Sequence, residues 1–262
     1  MKTAIVIGGN FAGMTAALEL KRKGKDNYRV LVVDKSPLFL FIPSLIWVPF
    51  GRREIKDISF RKDEIFRKKG VEFLQAEALE VDTEHNKLIT TKGEFIYDHL
   101  VIATGPKVQF DVAPGVEEHA YYIGTPNGAM KTRKALEDFK QNPGPIVIGA
   151  TQNAGCMGAA YEFLFNIEKW LREQNIRKKV DLYWITPETF LGHFGIDGIT
   201  GGETMLKSFM KMFNIHYRTE VAVKEVKTRW SCFKYWRSFS KCFYDAHASF
   251  YRSRFCNQFK IY

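Results

Sequence analysis

Thr3-Ala4-Ile5-Val6-Ile7-Gly8-Gly9-Asn10-Phe11-Ala12-Gly13-Met14 opens the chain and decides its fold. Thr3 to Ile7 is a short, nearly continuous apolar run, the pattern of a strand buried on both faces. Gly8 to Gly13 supplies a turn, and Met14 to Leu20 carries a helical pattern. Strand, glycine turn and helix in that order make a pyrophosphate site, because free N–H groups and the helix dipole meet at the turn. Gly8, Asn10, Phe11, Ala12 and Gly13 are therefore candidate cofactor contacts. The middle glycine of the usual G-x-G-x-x-G pattern is Asn10 here. The next strand, Val30 to Val33, ends in Asp34, about twenty residues past the glycines, where an acid can take a ribose hydroxyl. Lys35 follows it. A glycine turn in a parallel sheet with no ligand would share the glycines; Asp34 in register argues for a dinucleotide.

A second strand–turn–helix signal lies at Ile146-Val147-Ile148-Gly149-Ala150-Thr151-Gln152-Asn153-Ala154-Gly155-Cys156-Met157-Gly158. Ala159, Ala160, Phe163, Leu164 and Ile167 continue it with helical spacing. Cys156 then sits at or near a helix N-terminus, where dipole and free N–H groups favour a thiolate. The place where a nicotinamide cofactor would dock holds a candidate redox thiol. The plainer alternative is a buried cysteine acting as a small core residue.

A third segment, Tyr97-Asp98-His99-Leu100-Val101-Ile102-Ala103-Thr104-Gly105-Pro106, is a strand ending in a Thr-Gly turn. It resembles the segment that closes the FAD domain of two-dinucleotide-domain flavoproteins, which makes Thr104 and Gly105 candidate contacts. Gly70 to Ala78 resembles the strand whose backbone meets the adenine, with Ala78 at its end. With these segments the chain resembles the pyridine-nucleotide-disulfide oxidoreductase superfamily. Within it the sequence is most similar to the sulfide:quinone oxidoreductases and the flavoprotein of flavocytochrome c sulfide dehydrogenase. Phe41 to Gly51, including Pro43, resembles their flavin-side segment. Gly149 to Cys156, continued by Tyr161-Glu162-Phe163, resembles their redox-cysteine turn. Leu191-Gly192-His193-Phe194-Gly195-Ile196-Asp197-Gly198 resembles a histidine-bearing loop near the active site. The resemblance runs from residue 1 to about residue 226.

It implies an α/β protein with two Rossmann-like, FAD/NAD(P)-binding domains and FAD as cofactor. The expected division is 1–106 for the FAD domain, 107–226 for the second domain and 227–262 for an aberrant tail. The second domain is not expected to bind NAD. Thr151 to Ala154 widens its turn, and the strand Val180 to Ile185 ends in Thr186 and Pro187, with Glu188 only nearby. The mechanism implied is thiol-to-flavin electron transfer: hydrosulfide attacks a sulfur-bridged cysteine pair, the flavin is reduced, and a quinone takes two electrons. Cys156 would be one working thiol, and His193 a proton shuttle. A structural hydrogen bond is the alternative role for His193 and the favoured one for the other histidines. Members carry a partner cysteine after a later Pro-Pro-Phe segment, and some carry one near residues 121–126. Here neither is present, the latter position holding Gly124, so Cys156 has no family-matched partner.

The tail breaks the pattern. From Lys227 to Tyr262, twelve residues are aromatic, three are cysteine, eight are Lys or Arg, one is acidic, and none is Gly, Leu, Val or Pro. Cys232, Cys242 and Cys256 lack a Cys-x-x-Cys pair, so no metal site is expected. A change of reading frame near residues 226–229 explains the shift. Ordinary codons for Trp230 to Lys260, read one base later, allow a stop-free sequence with a hairpin-like turn and a Pro-Pro-Phe segment. The chain is thus read as C-terminally truncated or frameshifted, and its C-terminal part as incomplete. The net charge of +10 falls to +3 without the tail, which removes the case for nucleic acid. A single cysteine in the body excludes a disulfide framework.

No signal peptide or membrane-spanning run is visible. Full-length relatives attach to the membrane face; this chain would be cytoplasmic if it lacks their anchor. Sulfide and quinone are the expected small-molecule partners, and oligomeric state is not legible. Two other readings stay open: an NADH:quinone-type flavin reductase, and a non-catalytic flavin-binding fragment.

Overall fold

The structure, a computed structural model, describes residues 1–227. In chain order its strands and helices are β1 (Lys2–Ile7), α1 (Phe11–Gly24), β2 (Tyr28–Asp34), β3 (Leu38–Leu40), β4 (Ser59–Arg61), α2 (Lys62–Lys68), β5 (Glu72–Gln75), β6 (Ala78–Asp82), β7 (Lys87–Thr90), β8 (Gly93–Ile96) and β9 (His99–Ile102). Then follow α3 (Val116–His119), α4 (Pro126–Gln141), β10 (Ile146–Gly149), α5 (Gly158–Glu173), β11 (Leu182–Ile185), α6 (Gly202–Met212) and β12 (Ile215–Arg218).

Contacts divide the described chain into two units. The first comprises Met1–Phe41 and Ile55–Val108; the second comprises Ile42–Glu54 and the described residues from Gln109 onward. In the first unit a parallel sheet runs β5-β2-β1-β9. Its buried strands follow from the apolar runs. Val6, Val30 and Val32 pack with Ala17 of α1, Phe66 of α2 and Val71 on one face. Ile5, Ile7, Leu31 and Val33 pack with Ala76, Val81, Leu88 and Tyr97 on the other, under the antiparallel sheet β6-β7-β8. Because β2 and β9 flank β1 and all three run parallel, the strand order reverses at β1. The carboxyl ends of β1, β2 and β9 meet there, where doubly wound sheets bind ligands.

The second unit carries the parallel sheet β10-β11-β12. Leu164, Ile167 and Leu171 of α5 pack on Leu182 and Trp184 of β11 and on Leu206 and Met210 of α6. Thr125 caps α4 by accepting from the Gly128 N–H at 3.1 Å, with Pro126 as the first helical residue. The strand expected over Val180 to Ile185 is shorter: Arg177–Lys179 forms a 3-10 turn, and β11 starts at Leu182.

Residues 42–54 group with the second unit rather than the first. The side chains give the reason: Glu54 pairs with Arg133 at 2.8 Å, Arg52 pairs with Glu173 at 3.0 Å, and the Phe50 ring meets Phe163 at 5.5 Å. Except for Lys227, the expected tail and Cys232, Cys242 and Cys256 lie outside the described residues.

Candidate cofactor and redox site

The turn after β1 is built by backbone constraints. Gly8 has φ +92, and a Cβ there would run into the Ala103 carbonyl. A Cβ at Gly13 would run into the carbonyl of Gly8. No side chain caps α1 and no acid stands in its first turn, so the N–H groups at its start face outward from a positive helix end. Asn10 precedes the helix, and its Oδ1 is buried with no hydrogen-bond partner among the described residues. A buried acceptor without a partner is costly, which suits a site completed by a ligand. Phe11 is partly exposed and meets Phe39 at 4.9 Å. Ala12 is exposed beside it. Thr104 and Gly105 follow β9 as exposed residues, Gly105 at φ +74. These features fit a dinucleotide at this turn.

Asp34 lies at the end of β2, as its spacing predicts. Its Oδ2 accepts from the Gly9 N–H at 2.6 Å, and its Oδ1 from the Ser36 N–H at 2.9 Å. The ammonium of Lys62 donates to Oδ2 at 2.7 Å. Lys62 is missing from the candidates named in the sequence. It stands in the polar run Arg61-Lys62-Asp63-Glu64, and its one signal is helical spacing to the buried Phe66. The other expected contacts are placed less closely. Lys35 is exposed and ion-paired with Glu77 at 2.5 Å. Ala78 opens β6, opposite Thr90. Pro43 lies in a 3-10 segment, Ile42–Trp47, of the second unit.

In the second unit Cys156 is an exposed free thiol, two residues before α5. It is not the small core residue of the plainer reading. The Gln152 side chain holds its turn. The amide nitrogen donates to the Val112 and Val223 carbonyls at 3.2 and 3.0 Å, and the amide oxygen accepts from the Val223 N–H at 3.0 Å. Burial, and then the charge of Cys156, push the Tyr122 phenol above its ordinary range. A side chain at Gly124 would meet the Tyr122 hydroxyl and ring. Tyr122 thus fills the space beside residue 124 and was not singled out from sequence.

His193 is partly buried in a loop that two anchors hold. Tyr161, on α5, donates from its hydroxyl to Glu188 Oε2 at 2.7 Å and accepts from the Gly192 N–H at 3.0 Å. Glu188 Oε2 also accepts from the Thr186 hydroxyl at 2.8 Å, and Oε1 accepts from the Phe194 N–H at 2.7 Å. Burial and then the Glu188 carboxylate push the Tyr161 phenol far up, so it remains a donor at any working pH. His193 Nδ1 accepts from the Gly195 N–H at 3.1 Å, which puts the neutral imidazole proton on Nε2. Nε2 lies 3.3 Å from Asp197 Oδ1. The turn of Cys156 leads into α5, and the His193 loop is fastened to α5 through Tyr161. Among the described residues no cluster of potential metal ligands occurs.

A glycine turn at the switch point of one parallel sheet and a second Rossmann-like unit with an exposed cysteine before its helix fit the class of two-domain flavoprotein oxidoreductases. The chain belongs to the pyridine nucleotide-disulphide oxidoreductase family, which it matches over residues 2–163. Proteins of this family are FAD-binding flavoproteins. The chain is 37% identical over 227 residues to the sulfide-quinone reductase of Aquifex aeolicus, covering 86% of this chain and 52% of that protein. The solved sulfide:quinone oxidoreductase of Aquifex aeolicus superposes with a TM-score of 0.84 at 36% identity, over 87% of this chain and 53% of that one. An Arabidopsis thaliana protein, external alternative NAD(P)H-ubiquinone oxidoreductase B4, is 32% identical over 148 residues, 52% of this chain and 25% of that protein. The chain thus spans about half the length of the Aquifex relative.

Proposed function

We propose that the chain is a FAD-dependent oxidoreductase of sulfide:quinone type, oxidising sulfide at Cys156 and passing electrons to a quinone at the membrane surface. The exposed Cys156 thiol carries this reading, because it occupies the turn where a nicotinamide-using unit would bind its cofactor phosphates. FAD, when bound, supplies the two-electron acceptor. The free N–H groups at the start of α1 and the Asn10 side-chain NH2 would donate to its diphosphate, and Asp34 would accept from its ribose hydroxyls. The Cys156 thiolate would take the hydrosulfide sulfur as a persulfide, the two electrons released on forming the S–S bond going to the flavin. His193 holds the proton that the hydrosulfide loses. No helix of the described residues is long and apolar enough to cross a membrane.

A nicotinamide-driven reductase is the second reading, because one relative is an NAD(P)H-ubiquinone oxidoreductase. The fate of Glu188 argues against it. The acid nearest the end of β11 is buried and held inward by Tyr161, Thr186 and Phe194, which keeps it from a ribose at the surface, whereas Asp34 is partly exposed. Anaerobic spectroscopy of the purified chain separates the readings. Sulfide should bleach the 450 nm flavin band and NADH should not. Bleaching by NADH alone selects the second reading. A yellow protein that neither reduces is a flavin-binding fragment without this activity.

A further inference from the structure

We propose that Lys62 is the counter-cation that sets the Asp34 carboxylate for the adenosine ribose of FAD, a positioning residue for cofactor binding. The inference rests on the FAD reading and adds to it a residue on a different element. The Lys62 side chain is only 2% exposed, and that of Asp34 is 17% exposed. Removing an ammonium this far from water is costly unless it is paired, and here the pairing is to Asp34.

The geometry gives the pair a direction. Oδ2 of Asp34 has two acceptor positions, filled by the Gly9 N–H at 2.6 Å and the Lys62 ammonium at 2.7 Å. Among the described residues Oδ1 receives only the Ser36 N–H, at 2.9 Å. The remaining lone pair of the carboxylate is therefore on Oδ1, and a ribose hydroxyl is steered there. The lysine stem passes under the glycine turn: a Cβ built on Gly9 would lie 3.4 Å from Lys62 Cδ and 3.3 Å from Asp34 Oδ2. The backbone secures the stem, because the Lys62 N–H donates to the Pro37 carbonyl at 2.9 Å. The ammonium also offsets the negative charge that Asp34 would otherwise present toward a bound diphosphate.

The test is a double-mutant cycle on the full 262-residue chain, stripped of flavin and titrated with FAD by flavin fluorescence. Lys62→Met should weaken FAD binding by about tenfold or more, because it strands a largely buried carboxylate. Asp34→Asn combined with Lys62→Met should bind FAD more tightly than Lys62→Met alone, and should melt at a higher temperature without FAD. The melting comparison keeps the test decisive if the single variant folds poorly. Lys62→Met binding FAD like the parent, or single and double variants alike in both affinity and melting, overturns the proposal. A parent chain that binds no FAD overturns the cofactor reading itself, an outcome visible before any variant is made.

Discussion

The Tyr161 hydroxyl and the Glu188 carboxylate, 2.7 Å apart and both buried, tie the helix that follows Cys156 to the loop that carries His193. Tyr161 serves both ends of this link, donating to Glu188 and accepting from Gly192. Tyr161→Phe leaves the Gly192 N–H and one Glu188 position unpaired. It should destabilise the chain by about 1–3 kcal/mol, the cost of stranding buried polar groups. Urea denaturation measures the loss. Hydrogen exchange should show faster exchange at Gly192 and Phe194 than elsewhere in the second unit. Unchanged exchange there would mean that other contacts hold the loop.

Cys156 is exposed in the native chain, whereas the apolar residues around its turn, Ile148, Met157 and Tyr161, are buried. Iodoacetamide should label it without denaturant, read by mass spectrometry of the peptide containing residue 156. Cys156→Ser should retain FAD while losing sulfide-dependent flavin reduction by about a thousandfold or more, as when a covalent nucleophile is removed. A variant reduced by sulfide at the parent rate would end the assignment of this thiol.

His193→Asn tests the proton shuttle separately. Asparagine can still accept the Gly195 N–H through its oxygen but cannot move a proton. Flavin reduction by sulfide should slow by about a hundredfold, the lower range for losing a general acid or base. FAD affinity should not change. A parent-like rate would leave His193 with only its hydrogen bonds to the loop.

Much of the first unit is legible in sequence because its signals are local. The buried strand Thr3 to Ile7, the glycines at 8 and 13 and the acid at 34 each reflect a backbone or burial rule that acts within a few residues. The strand–turn–helix around Cys156 is legible for the same reason. Lys62 and Gln152 escape because their partners are distant. Gln152 meets carbonyls 40 and 71 residues away, and Lys62 meets an acid 28 residues earlier. A lysine in a charged run reads as solvated surface, and nothing local marks the one that turns inward. The grouping of residues 42–54 with the second unit also rests on distant partners, since Glu54 finds Arg133 at a separation of 79.

Asn10 stands where the usual fingerprint has its middle glycine, and its buried Oδ1 has no partner among the described residues. If the diphosphate site uses this side chain, Asn10→Ala acts in opposite directions on two observables. Without FAD the variant should be as stable as the parent or more so by up to about 1 kcal/mol, because an unsatisfied buried acceptor is removed. With saturating FAD it should gain less stability, because a ligand stabilises the folded state according to its affinity. Thermal melting with and without FAD measures both. Asn10→Gly restores the usual glycine and lets the backbone approach the diphosphate directly, so it should bind FAD better than Asn10→Ala. Equal FAD-induced melting shifts in the parent, Asn10→Ala and Asn10→Gly would show that the side chain at this turn does not meet the cofactor.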